Sequence, residues 1–216
     1  MAELRDKHGV AALDRRVDAR EHSLELHMPY IRKRLDQTAS AAKIVPLVVG
    51  NLGSRAEKEL GRALAPWVRD SENAFVVSSD FCHWGLDTFD YAPYSATGSV
   101  DDLETLQPGQ KLEPGASVED TIEAMDQHAL EAVKLGNHDA FLASLKKTKN
   151  TVCGRHPIGV ILAALEAAAE GAMEEDTDRF KFKVTKYTTS GKVKGDRPIR
   201  DCFGHSVSYV SAYAIV

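Results

Sequence analysis

From Lys43 to Ser78 the sequence reads as a strand–helix–strand unit, and no other stretch limits the fold so tightly. Lys43-Ile44-Val45-Pro46-Leu47-Val48-Val49 is an apolar run expected to be a strand. Pro46 donates no ladder hydrogen bond and confines that strand to an edge or a bulge. Gly50 to Gly53 turns the chain, and Ser54-Arg55-Ala56-Glu57 has the form of a capping box. The helix running to about Arg69 would bury Leu60, Leu64 and Trp67. Ala74 to Ser78 then supplies a second, interior strand. Strands joined by a helix in this way run parallel, with a right-handed crossover. An α/β fold follows.

The unit runs into a polar cluster, Ser78-Ser79-Asp80-Phe81-Cys82-His83-Trp84-Gly85. Ligands of open α/β sheets gather beyond the carboxyl ends of the strands, so Asp80 and His83 are expected on such a rim. The pair suits a metal ligand with a supporting carboxylate, or a general base with its orienter. The plainer alternative is a turn-capping aspartate beside a solvated histidine. A second dense stretch, Asn150-Thr-Val-Cys-Gly-Arg-His-Pro-Ile-Gly-Val-Ile-Leu162, places Cys153 in a loop before a helix. Pro157 suits the first helical position, and Ile158, Ile161, Leu162 and Leu165 recur at helical spacing. A helix N-terminus with Arg155 and His156 nearby favours a thiolate at Cys153, the form that binds metal or attacks carbon. An inert buried cysteine is the competing reading.

Elsewhere the pattern is less specific. Leu4 to Leu13 suggests a helix interrupted at Gly9. Glu21 to Leu35 suggests another, striped by Leu24, Met28, Ile31 and Leu35 and kinked or restarted at Pro29. His22 and His27 lie five residues apart and diverge on such a helix. Residues 92–117, rich in Pro, Gly, Ser and acids, read as a surface excursion. Ser117 and Asn137 can cap helices through Val133 and Leu145. Phe180, Phe182 and Val184 alternate as on a half-exposed strand. Val207, Tyr209, Ser211, Tyr213 and Ile215 do the same in a closing strand. Twenty-seven Lys and Arg against 32 Asp and Glu give a net charge of −5, without the basic run of a nucleic-acid binder. The longest apolar stretch, Ile158 to Leu165, is too short to insert in a membrane. The three cysteines, Cys82, Cys153 and Cys202, form no disulfide framework and fit a reducing, cytoplasmic setting.

Three blocks carry a resemblance: Glu21-His-Ser-Leu-Glu-Leu-His-Met-Pro-Tyr30, Ser78–Gly85 and Asn150–Val160. In order and spacing they resemble the signature blocks of the Memo family, the mediators of ErbB2-driven cell motility. The bacterial and archaeal relatives of that family are called AmmeMemoRadiSam system protein B. The likeness runs from near Met1 to the C-terminus and implies one domain over 1–216. It implies a three-layer α/β sandwich like the class III extradiol (non-haem iron) dioxygenases, with a pocket that some members use for a metal. It also places the His22 block near that pocket. The family pattern includes an N-terminal region with Pro-His-Ala-Gly and Ser-His-His motifs, and nothing before Glu21 resembles either. The chain therefore reads as the family fold shortened at its N-terminus, with Cys153 lacking two histidine partners.

Three functions compete on these residues. One is a redox or dioxygenase-like site with Cys153 as metal ligand and His83, Asp80 and His22 in catalytic roles. Iron or copper would be its metal, held weakly or not at all. The cysteine departs from the usual two-histidine, one-carboxylate set and shifts preference toward copper(I). Another is a signalling adaptor that seats a phosphotyrosine peptide on Arg155, His156 and the helix start, as the resemblance implies. The last is a hydrolase with Cys153 as nucleophile, His83 as base and Asp80 as orienter.

Overall fold

The computed structural model describes residues 2–38, 41–110, 112, 115, 117–170, 178–193 and 204–216. In chain order come α1 (Ala2–His8), α2 (Arg15–Asp18), α3 (His22–Glu25), α4 (Met28–Gln37) and α5 (Ser54–Arg69). Next are β1 (His83–Trp84), α6 (Leu86–Phe89), β2 (Pro93–Tyr94) and β3 (Glu104–Thr105). The rest comprises α7 (Val118–Lys134), α8 (His138–Thr148), α9 (Arg155–Ala169), β4 (Lys183–Thr189) and β5 (Ser206–Tyr213). The fold is mixed α/β with small sheets. No helix among the described residues is long and apolar enough to cross a membrane.

The centre is α9. Its Ile158-Gly-Val-Ile-Leu-Ala-Ala-Leu165 run is buried throughout, as a helix apolar on all sides must be. On one flank α5 presents Leu64, Ala65 and Val68 to Ile161, Ala164, Leu165 and Ala168 of α9. The approach is close enough that a Cβ on Gly61 would sit 2.6 Å from the Ala163 Cβ. On the other flank Leu162 joins Leu130, Phe141 and Leu145 of α7 and α8. Each such side chain, fully buried, contributes roughly 1.5–3 kcal/mol. Ser117 and Asn137 cap α7 and α8 as the sequence suggests, each accepting a backbone N–H.

The strand–helix–strand expectation is only half met. Its helix is α5, but neither 43–49 nor 74–78 forms a strand among the described residues. The larger of the two sheets that form among the described residues has the order β1-β5-β4 and is antiparallel throughout, with His83 opposite Val207, and β2 pairs with β3 in the other. An apolar run becomes a strand only where a neighbour completes its ladder, and here the chain pairs Phe81–Trp84 instead. The capping box also fails. Gly53 is the N-cap, without a side-chain hydrogen bond, and Glu57 points into the core. The start of α9 differs by two residues from the expected one. The helix begins at Arg155, so Pro157 is its third residue, still in the turn whose N–H groups lack helical acceptors.

Other elements moved less. Pro29 restarts the 21–35 helix, which divides into α3 and α4. The first part of the 92–117 segment is anchored in the core: Ala92, Tyr94 and Leu106 are buried beside Trp84 and Ile122. Phe180 adopts a left-handed turn before β4. Cys202 lies outside the described residues.

Candidate metal centre

Two loops make the centre. The first, 78–84, leads into β1. The second, 149–154, leaves α8 through Lys149, whose left-handed φ of 56° reverses the chain toward α9. They are sewn together by backbone and hydroxyl groups. Cys153 N–H donates to the Asp80 carbonyl at 3.2 Å, and Gly154 N–H donates to Ser79 Oγ at 2.9 Å. Gly154 permits this approach, because a Cβ there would lie 2.4 Å from the Ser78 carbonyl oxygen. Thr151 clasps the histidine, with His83 N–H donating to Thr151 Oγ1 at 2.8 Å.

Asp80, His83 and Cys153 converge, with ligand atoms all within 4.8 Å of one another. His83 Nδ1 lies 3.0 Å from the Phe81 carbonyl and 3.1 Å from the Thr151 carbonyl. Both are acceptors, so Nδ1 carries the proton and Nε2 offers a lone pair. That Nε2 stands 3.8 Å from Asp80 Oδ2. Cys153 is exposed, and its sulfur accepts the Asp80 N–H at 3.1 Å. Phe89 meets the His83 ring edge-on at 5.3 Å between centroids and walls one side. The arrangement presents one nitrogen, one oxygen and one sulfur donor to a shared, partly open space.

The remaining predicted residues, His22, Arg155 and His156, are not members of this trio. His22 is exposed on the four-residue α3, and the trio is the only metal-capable group of three among the described residues. Arg155 is exposed at the first position of α9. His156 is largely buried and gives Nδ1 to Glu57 Oε1 at 2.6 Å. Cys82 is fully buried, and burial, with Asp126 nearby, pushes its thiol far up. The orienter assigned to Asp80 in the hydrolase reading is supplied instead by the two carbonyls on His83 Nδ1.

Two groups escape sequence reasoning. Glu57, 1% exposed, bridges His138 Nε2 at 2.7 Å and His156. Its capping-box spacing hides that role. Asp126, 0% exposed, accepts from Cys82 N–H, Asn150 Nδ2 and Tyr187 Oη. Burial raises its carboxyl, against the pull of the hydrogen bonds from Ser208, Asn150 and Tyr187. A lone acid on the stripe of Ile122, Met125, Ala129 and Leu130 was the available signal.

The sequence matches the family model described as Memo-like protein over residues 1–213. It is 34% identical over 214 residues to the memo-1 homolog of Caenorhabditis elegans, covering 99% of this chain and 53% of that protein. It is also 34% identical over 177 residues to Protein MEMO1 of Homo sapiens, covering 82% of this chain and 52% of that protein. Protein MEMO1 of Danio rerio is 31% identical over 199 residues, 92% of this chain and 57% of that protein. The chain thus spans about half the length of the curated relatives it matches.

Proposed function

The chain belongs to the Memo family, and we propose that its Asp80–His83–Cys153 cluster is a redox metal centre on a dioxygenase-like α/β scaffold. The convergence of three different donor atoms within 4.8 Å carries this reading. Three protein ligands are what a catalytic metal site ordinarily needs, and the set holds one soft and two harder donors. Iron or copper fits that set, and the thiolate draws the preference toward copper(I). A bound ion would supply one-electron chemistry and a Lewis-acidic centre. The chain's own residues prepare the place. Thr151 and Phe81 carbonyls fix the His83 tautomer, and the Asp80 N–H holds the Cys153 sulfur. Exposure of Cys153 and Asp80 leaves one side open to a small reactant and makes the hold on metal weak. A cysteine where the extradiol set has a carboxylate directs the centre to redox chemistry rather than ring cleavage.

The test is anaerobic titration with copper(I) and iron(II), read by calorimetry and elemental analysis, on the native chain, Cys153→Ser and His83→Ala. Each variant is expected to lose about tenfold or more in copper(I) affinity, since a first ligand counts for at least as much as its supporting partners. Equal uptake by all three would place the metal elsewhere.

A second reading rests on Arg155, exposed at the start of a helix of 15 residues. In it the same face seats a phosphotyrosine peptide, with a role in cell-motility signalling. Salt-sensitive binding of such a peptide, lost in Arg155→Ala, would support it, and binding unchanged in that variant would count against it.

A further inference from the structure

Asp126 stands in the middle of α7 with no exposure to solvent. An aliphatic residue there would continue the apolar stripe, and burying a carboxylate among Ile122, Met125, Ala129 and Leu130 is costly unless its partners compensate. The partners are informative. Oδ1 accepts the Cys82 N–H at 3.1 Å and Asn150 Nδ2 at 2.8 Å. Oδ2 accepts Tyr187 Oη at 2.9 Å, and that hydroxyl lies 3.3 Å from Ser208 Oγ. Ser208 in turn donates its N–H to the Cys82 carbonyl at 3.0 Å.

Cys82 immediately precedes His83, and Asn150 immediately precedes Thr151, which clasps His83. One carboxylate oxygen is therefore the common acceptor for both loops of the candidate centre, and the other ties them to β4. Among the described residues Asn150 Oδ1 is buried with no hydrogen-bond partner, and the amide is held there through its bond to Asp126. A side chain held at a cost on one end points to the end that is satisfied.

We propose that Asp126 is a positioning residue for the Asp80–His83–Cys153 centre, setting the separation of its two loops from within the core. The inference rests on that cluster being the functional site. Asp126→Leu removes every bond while filling the volume. Asp126→Asn can keep its carbonyl on Cys82 and Asn150 and turn its amide toward Tyr187, so it is the conservative rescue. Asn150→Ala cuts only the link to the second loop. Ser144→Ala is the control: it removes a buried hydroxyl bonded to His128 at the α7–α8 contact, without touching Asp126.

Two readouts separate this inference from the metal reading. In metal-free protein the His83 Nδ1–H, held by two carbonyls, is expected to give a slowly exchanging imidazole resonance by NMR. Asp126→Leu and Asn150→Ala should lose it while thermal melting stays cooperative, and Asp126→Asn and Ser144→Ala should retain it. Cobalt(II) titration should then show about tenfold or greater weakening in the first two variants only, the range typical of partners that support a metal ligand. The metal reading stands or falls on the copper(I) and iron(II) titration above; if native protein takes up no cobalt, the NMR arm alone decides positioning. Persistence of the resonance in Asn150→Ala and Asp126→Leu, or equal loss in Ser144→Ala, would overturn the inference. Should Asp126→Leu fail to melt cooperatively, Asn150→Ala alone decides.

Discussion

Helices α4 and α9 both carry apolar residues at helical spacing and meet opposite fates. The ten residues of α4 have an apolar stripe that includes Ile31 and Leu35, yet none is buried. In α9, ten of 15 residues are buried. Propensity and pattern say which face a helix would bury, but tertiary partners decide whether it does. Around α9 the partners are α5, α7 and α8. None of the described residues of 11–49 is buried, and Leu4 is the one buried hydrophobic side chain among the described residues before α5. Stability is expected to reside in the first region and association in the second.

The sharpest way to break that division is at Glu57. Its carboxylate joins three helices by bridging His138 on α8 and His156 on α9. Glu57→Ala leaves the Nε2 of the fully buried His138 imidazole without its partner, and the loss is expected to be about 3–5 kcal/mol. Denaturant unfolding measures it, and a loss under about 1 kcal/mol would remove Glu57 from the centre of the fold. Gly61→Ala should follow at about 1–3 kcal/mol, since its methyl would stand 2.6 Å from Ala163 Cβ and 2.8 Å from the Ala164 nitrogen. The analogous Gly50→Ala on the outer segment meets nothing within 4 Å and should be close to neutral.

Alkaline pH sharpens the same contrast. Burial pushes the Tyr91 and Tyr187 hydroxyls far above the usual tyrosine range, with the Asp126 carboxylate adding to the effect. Above about pH 10 the unfolded tyrosines lose protons while the folded ones keep them, so stability falls as pH rises. The slope is about 1.4 kcal/mol per pH unit for each group. Tyr91→Phe should flatten it by one group's share in unfolding measured across about pH 9 to 11. An unchanged slope would mean that Tyr91 ionises freely in the folded protein.

What the sequence made legible follows the same line. The helices α5 and α7–α9 are visible because each carries its apolar stripe within its own residues. The convergence of Asp80, His83 and Cys153 is visible as well, although the expected cause, a parallel-strand rim, is replaced by antiparallel pairing of β1 with β5. The alternation of Val207, Tyr209, Ser211 and Tyr213 marks a real strand, but its inward residues are Ser206 and Ser208. Ser208 faces Tyr187 and Asp126, and Ser206 donates to the Gly191 carbonyl. Hydrophobic alternation cannot announce a buried face made of hydroxyls. The same reason hides Asp126 and Glu57, whose polar partners stand 24 to 99 residues away along the chain.

The smallest effect on stability is expected at the exposed apolar residues of segments 43–49 and 74–78. Ile44, Val45, Val48, Phe75 and Val76 are between 39% and 59% exposed, on the two segments that the sequence reads as strands. Their neighbours Leu47, Val49 and Val77 turn the other way and lean on the α5–α9 cluster. Each segment thus has one face seated and the other bare. Bare apolar surface on extended chain is where proteins associate. The 216-residue chain is therefore expected to sediment as concentration-dependent species larger than a monomer. Val45→Lys together with Val76→Lys should shift it toward monomer, because each charge would have to be desolvated in any apolar contact. Unfolding of the variant at high dilution should differ from the native chain by no more than about 0.5 kcal/mol per site, as for other surface substitutions. A chain that is already monodisperse and monomeric, and that melts cooperatively at every concentration, would show that these faces need no cover. The division between a stabilising centre and an associating exterior would then fail at its outer half.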